Sequence, residues 1–261
     1  MGGGAAGVGA RHCGTAVRMS ILVFDMETRV DKALLRTVCY RGQTLSDDEA
    51  YERMRDELSR AGGSDFFPLT FHVPVSIALG RAGEDHVLHG VEVLGADALG
   101  EAGLVRAFWA RLEAFDGLLV SFNGRAFDLP VLELQALRHG CSAPRYCAER
   151  NGLRGRFGRH CDLHDWLTNG GAVRLRGGLD LAAKLVGLPG KGEVSGGDVQ
   201  VLWERGRWEH IHRYCRDDVL QTYFVFLRIE HLRGRLSAEQ LAHVEAATHA
   251  YRALLGGDAG A

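Results

Sequence analysis

Three short stretches of this chain carry side chains that could do chemistry together. Asp25 and Glu27 stand at i and i+2 at the end of the apolar run Ser20–Asp25 (SILVFD). On a pleated strand both carboxylates then point to one face, where two hard oxygen ligands can share a cation. Taken alone, an Asp-x-Glu at a strand end is more often a pair of solvated acids. Ser121–Pro130 (SFNGRAFDLP) spans a junction between a buried strand and a helix, the place where α/β proteins position ligands, and Asn123 and Gly124 suit a tight turn. Asp128 falls in the first turn of that helix, either as a ligand or as an acid compensating the helix dipole. In His212–Val219 (HRYCRDDV), Tyr214 and Asp218 are four residues apart on a long helix, so a phenol and a carboxylate share one face. Asp217 is rotated by about 100° from Asp218 and reads as a surface acid paired with Arg213 or solvent.

Those side chains need elements to hold them. β-Branched and aromatic runs predict strands over Ser20–Asp25, Val73–Leu79 and His86–Val93, with a helix capped by Ser46 and reaching Ser59 between the first two. Leu99, Leu104, Val105, Phe108, Leu112 and Phe115 recur at helical spacing within Ala98–Phe115, after which Gly117 breaks the pattern and Leu118–Phe122 resumes a strand. Ala126–Arg138 reads as a helix, Pro130 being tolerable in its first turn. Further helical patterns cover Asp162–Leu167, Leu179–Leu188, about Trp208 to Arg233, and Ala238–Leu255, with a turn-rich segment at Gly187–Gly197. The alternation of strands and helices predicts an α/β layered fold. Cys141–His160 has no clean period and reads as a basic loop, with Arg145, Arg150, Arg154, Arg156 and Arg159 against Glu149 alone.

At 261 residues the chain can bury one substantial core, and its 46% hydrophobic and 25% charged content is that of a soluble globular protein. No apolar run approaches the roughly 20 residues of a membrane span. A net charge of -2 excludes a globally basic nucleic-acid coat and leaves a local basic groove open. The six cysteines include no CxxC pair and no zinc-finger spacing, which predicts reduced thiols and a cytoplasmic location. The Gly/Ala-rich residues 1–19 read as a flexible extension in which Met19 is an alternative start, residues 20–233 as the main domain, and residues 234–261 as a C-terminal helix with a frayed tail.

The ordered set of FDMET, SFNGRAFDLPVL and YCRDDVLQTY resembles the DnaQ-like superfamily of DEDD exonucleases in its tyrosine-bearing branch. The wording is most similar to the predicted exonucleases related to the proofreading domain of family B DNA polymerases, over about residues 20 to 230. The resemblance implies a ribonuclease H-like fold, a five-stranded mixed sheet flanked by helices, and 3′-5′ hydrolysis of single-stranded DNA ends or frayed duplex to 5′-mononucleotides. It further implies that Asp25 bridges two divalent cations, Glu27 and Asp218 hold the first, and Asp128 supports the second through water. Tyr214 would hydrogen-bond the attacking water, Asn123 would shape the pocket for the terminal nucleotide, and backbone at Met26 and Glu27 would approach its 3′-hydroxyl. In-line phosphodiester hydrolysis puts charge on entering and leaving oxygens, which two cations offset; Mg²⁺ or Mn²⁺ suits an all-oxygen ligand set.

Several features stand outside that match. Asp31–Asp65 is long for a hairpin and reads as an inserted helix beside the groove or a capping element. Arg145–Arg159, with Tyr146, Phe157, Arg174, Arg176, Lys184 and Lys191, could wall a phosphate path, or simply be a surface in an arginine-rich chain. Gly187–Lys191 resembles the glycine-rich segment preceding the third motif, with Lys191 near substrate; it lacks P-loop spacing. His72, His210 and His212 read as structural or surface histidines. An exoribonuclease with the same acids, and a non-catalytic nucleic-acid-binding protein of this fold, are the alternatives; protein partners are not indicated.

Overall fold

The computed structural model describes residues 20–61, 66–154, 158–190 and 196–248, side chains at 150–154 and 196 excepted. Its strands are β1 (Ile21–Val30), β2 (His72–Ala82), β3 (Leu88–Gly95), β4 (Leu118–Ser121) and β5 (His160–Asp162). They form one sheet in the order β3-β2-β1-β4-β5, with β2 antiparallel to its neighbours β1 and β3, and β4 and β5 parallel to β1. Among the described residues the helices are α1 (Lys32–Cys39), α2 (Asp47–Arg60), α3 (Ala96–Ala114), α4 (Asp128–His139), α5 (Pro144–Arg154), α6 (Leu163–Leu167), α7 (Gly178–Leu185), α8 (Val199–Glu204), α9 (Trp208–Leu232) and α10 (Ala238–Ala247).

β1 is covered on both faces, which is why its start reads as an unbroken apolar run. Leu22, Phe24 and Met26 face Leu104, Phe108 and Trp109 of α3 and Leu129 of α4. Ile21 and Val23 face the other layer, with Leu179 of α7, Val219 and Tyr223 of α9, and Leu241 of α10. The expected five-stranded mixed sheet flanked by helices is therefore present.

The element bounds differ in places, each for a physical reason. β1 runs on to Val30 because β2 keeps pairing with it after β4 has ended, so Asp25 and Glu27 lie inside the strand rather than at its end. Its register shifts between Glu27 and Thr28. The Asp31–Asp65 stretch holds two helices: Asp31 caps α1, and Ser46 caps α2 in a capping box with Glu49. They bury Leu35, Ala50 and Phe67 in a small core of their own. The basic stretch is not a loop throughout; it contains α5 and β5. α3 begins at Ala96 and is interrupted at Gly100, whose φ of 67° is one that glycine adopts without strain.

Candidate active site

The site begins where two partners of β1 diverge. Parallel pairing with β4 stops at Val23 and Val120, whereas antiparallel pairing with β2 continues past Glu27 to Val30. The gap beyond β4 is filled by the start of α4. There the buried Asp128 carboxylate accepts the backbone N–H of Met26, which lies between Asp25 and Glu27. Asp128 is thus fixed to the same short piece of β1 that carries the other two acids.

α9 supplies the opposite wall. Tyr214, Cys215 and Asp218 are all buried on it, and Tyr214 packs with Val75, Val199 and Ile211. The Cys215 thiol, one carboxylate oxygen of Asp25 and one of Glu27 lie within 4.8 Å of one another. Burial pushes that thiol well above the ordinary range, and the charges of Asp25, Glu27 and Asp218 push it further. Two carboxylates therefore converge on the Cys215 thiol beneath β1, and Asp218 is near enough to act on it through its charge. Asp217 points elsewhere and pairs with Arg216, not with Arg213.

The loop before α4 is held by a residue whose importance the sequence did not reveal. Asp162, buried at the end of β5, accepts the N–H groups of Asn123 and Arg125, both at 2.9 Å, and caps α6 through His164 at 3.1 Å. Asn123 has φ 67°, and an added Cβ at Gly124 would come within 2.4 Å of the Ser121 hydroxyl. The Asn-Gly pair is required by this turn, and Asp162 clamps it. The sequence placed Asp162 as the first residue of a helix rather than as that helix's cap, and a three-residue strand with His, Cys and Asp has no periodicity to find.

Burial pushes Asp128 up to about 7, and the nearby Asp162 charge adds to the rise. In cation-free protein, folded Asp128 keeps a proton that the unfolded chain releases near 3.8, so stability is predicted to fall as pH rises from about 4 to about 7. Asp128→Asn should flatten that slope. Thermal melts in chelator across this window check it, and an unchanged slope would count against a buried carboxylic acid there.

An aromatic group borders the site. Phe66, 55% exposed, stacks on His72 with centroids 5.0 Å apart and meets the edge of Phe127 at 5.3 Å. His72 is structural, as its sequence context suggested: Nδ1 pairs with Thr28 Oγ1 at 2.7 Å, and burial pushes its pKa down to about 4. His212 pairs with Ser76 and Asp97. Lys191, Arg156 and Phe157, and the side chains of Arg150 and Arg154, lie outside the described residues.

Two members of the supposed phosphate wall are placed elsewhere. Arg145 on α5 and Arg159 just before β5 both pair with Glu149 and with Asp116, which precedes β4, at the end of the sheet away from the carboxylates. Their charge is already offset, because Asp116, distant in sequence, joins the local Glu149 in the fold. Replacing both with Gln is predicted to leave the salt dependence of nucleic-acid binding unchanged; a slope reduced by about one per arginine would place them on phosphates after all.

A mixed five-stranded sheet in this order, flanked by helices, defines a ribonuclease H-like fold. The family model for predicted 3′-5′ exonucleases related to the exonuclease domain of PolB matches residues 64–257, and the chain belongs to that family. That family is one of predicted 3′-5′ exonucleases. The matched span holds Asp128, Tyr214 and Asp218, while Asp25 and Glu27 precede it. The chain is similar to the family B DNA polymerase of the hyperthermophilic archaeon Pyrobaculum calidifontis at 18% identity and TM-score 0.52, covering 88% of this chain and 27% of the polymerase. It is similar to E. coli exonuclease I in complex with a dT13 oligonucleotide at 14% identity and TM-score 0.41, covering 83% and 42% of the two chains. It therefore spans less than half the length of either. No curated protein sequence matches it.

Proposed function

We propose that this protein is a metal-dependent 3′-5′ exonuclease that removes 5′-mononucleotides from the 3′ end of single-stranded DNA or of a frayed duplex. The observation that carries this reading is the meeting of the Asp25 and Glu27 carboxylates at Cys215 of α9, with Asp218 acting on the same thiol through its charge and Asp128 tied to the same stretch of β1. Such crowding of like charges is costly unless a cation offsets it. The donor set fits Mg²⁺ or Mn²⁺: four carboxylates offer hard oxygen ligands, and among the described residues no histidine joins them.

Asp25, Glu27, Asp218 and Asp128 would hold two divalent cations, which when bound supply charge stabilisation and a water of lowered pKa for in-line displacement. The protein's own contribution is position. Tyr214 is four residues before Asp218 on the rigid α9, and its hydroxyl would orient the attacking water. Met26 and Asn123 would shape the seat of the terminal nucleotide, with the Asn123 turn clamped by Asp162. Phe66 offers an exposed ring beside the site, the kind of surface on which unpaired bases stack without sequence preference.

The test is digestion of 5′-labelled single-stranded DNA and RNA with and without Mg²⁺ or Mn²⁺, alongside Asp128→Ala. Cation-dependent shortening of DNA that the variant loses is the expected result. Equal shortening by variant and wild type would overturn the site, and preferential shortening of RNA would replace the substrate.

A further inference from the structure

The buried floor of the carboxylate site contains a sulfur. We infer that Cys215 gives this site a second chemistry: capture of a thiophilic divalent cation, Zn²⁺ or Cd²⁺, by the Cys215 thiolate together with Asp25 and Glu27, which blocks the site for Mg²⁺ or Mn²⁺. This rests on the reading of Asp25 and Glu27 as cation ligands.

The ligand atoms of the three residues already lie within 4.8 Å of one another. Around a tetrahedral ion with metal–sulfur and metal–oxygen bonds of about 2.3 and 2.0 Å, neighbouring ligand atoms stand about 3.5 Å apart, so closure needs only a side-chain adjustment. The thiol gives up little on closing. It donates to the Asp25 carbonyl at 3.5 Å and approaches the Ser76 carbonyl at 3.8 Å, both weak contacts. Asp218, three residues on along α9, shares the helix face of Cys215 and adds a carboxylate.

Hard cations gain nothing from sulfur, whereas Zn²⁺ and Cd²⁺ prefer it, so a site with both donor types sorts cations by softness. On binding, the S–H bond is replaced by a sulfur–metal bond and one proton leaves to solvent; no electron is transferred. Because Cys215 is fully buried, bulky thiol reagents do not share this route.

The experiment titrates the full chain with Cd²⁺, without Mg²⁺, and records the ultraviolet sulfur-to-cadmium charge-transfer band together with Cd²⁺ bound at dialysis equilibrium. Wild type is compared with Cys215→Ala and Cys215→Ser, each first shown to be folded by circular dichroism, and Mn²⁺ binding is followed by electron paramagnetic resonance. One tight equivalent of Cd²⁺ with the band is expected in wild type, weakened at least about tenfold and without the band in whichever variant folds, while Mn²⁺ still binds. If the band and affinity persist without Cys215, another thiol is responsible and the inference fails. If Mn²⁺ binds wild type but Cd²⁺ gives no band, the inference fails and the carboxylate site stands. If neither cation binds wild type, the underlying reading fails as well.

Discussion

Asp25→Asn is expected to reduce single-turnover cleavage of a 3′-ended oligonucleotide by about 10²–10³-fold, the scale lost when one electrostatic contact to a developing charge is removed. The substitution keeps the shape of the side chain and removes one negative charge. Asp25 shares its face of β1 with Glu27 and adjoins the Asp218 wall, so its loss weakens the hold on any cation between them. The same change relieves like-charge repulsion in cation-free protein, so the melting temperature in chelator should stay level or rise. That combination separates a functional acid from a structural one. A variant that cleaves within tenfold of wild type, or that melts well below it, would remove Asp25 from the site.

The second large effect belongs to a residue that touches neither cation nor substrate. Asp162→Ala is expected to cost about 2–4 kcal/mol, because it leaves the N–H groups of Asn123 and Arg125 without their acceptor. It also leaves the Arg125 guanidinium, 9% exposed, with Asp165 as its remaining acidic partner. For a chain of this size that corresponds to a fall in melting temperature of about 5–15 °C. The turn it releases leads into Asp128 five residues later, so cleavage should fall at temperatures where the variant is still folded. Asp162→Asn should recover part of the stability, since its amide oxygen still accepts. Scanning calorimetry with cleavage assays below the melting range checks both parts. Unchanged stability would mean that the turn holds without the clamp.

How far these features were legible depended on whether the signal was local. Asp25 and Glu27 were visible because alternation on a strand is a two-residue rule, and Tyr214 with Asp218 because one helix turn is a four-residue rule. The continuous apolar start of β1 announced burial on both faces. β5 and α5 were not legible: a three-residue strand has no period, and of the described side chains of α5 only Tyr146 is buried in the core. Nor could the sequence say that Arg145 and Arg159 meet Asp116, because that pairing is made only when β4 and β5 align. The ring of charge around Cys215 was hidden for the same reason. Its members come from positions 25, 27 and 218, and only the crossing of α9 over β1 joins them.

The register shift after Glu27 has a consequence for how this chain tolerates change. In a strand, a gain or loss of one residue turns every following side chain to the other face. Here the irregularity falls downstream of both acids, between them and the α1–α2 segment with its separate small core. The extra residue belongs to β2: Val75 falls between the partners of Glu27 and Thr28 and packs with Tyr214 of α9, so the pleat of β1 that carries Asp25 and Glu27 runs on unbroken. An added residue between Phe24 and Glu27 would turn at least one carboxylate into the layer occupied by Phe108 and Leu129.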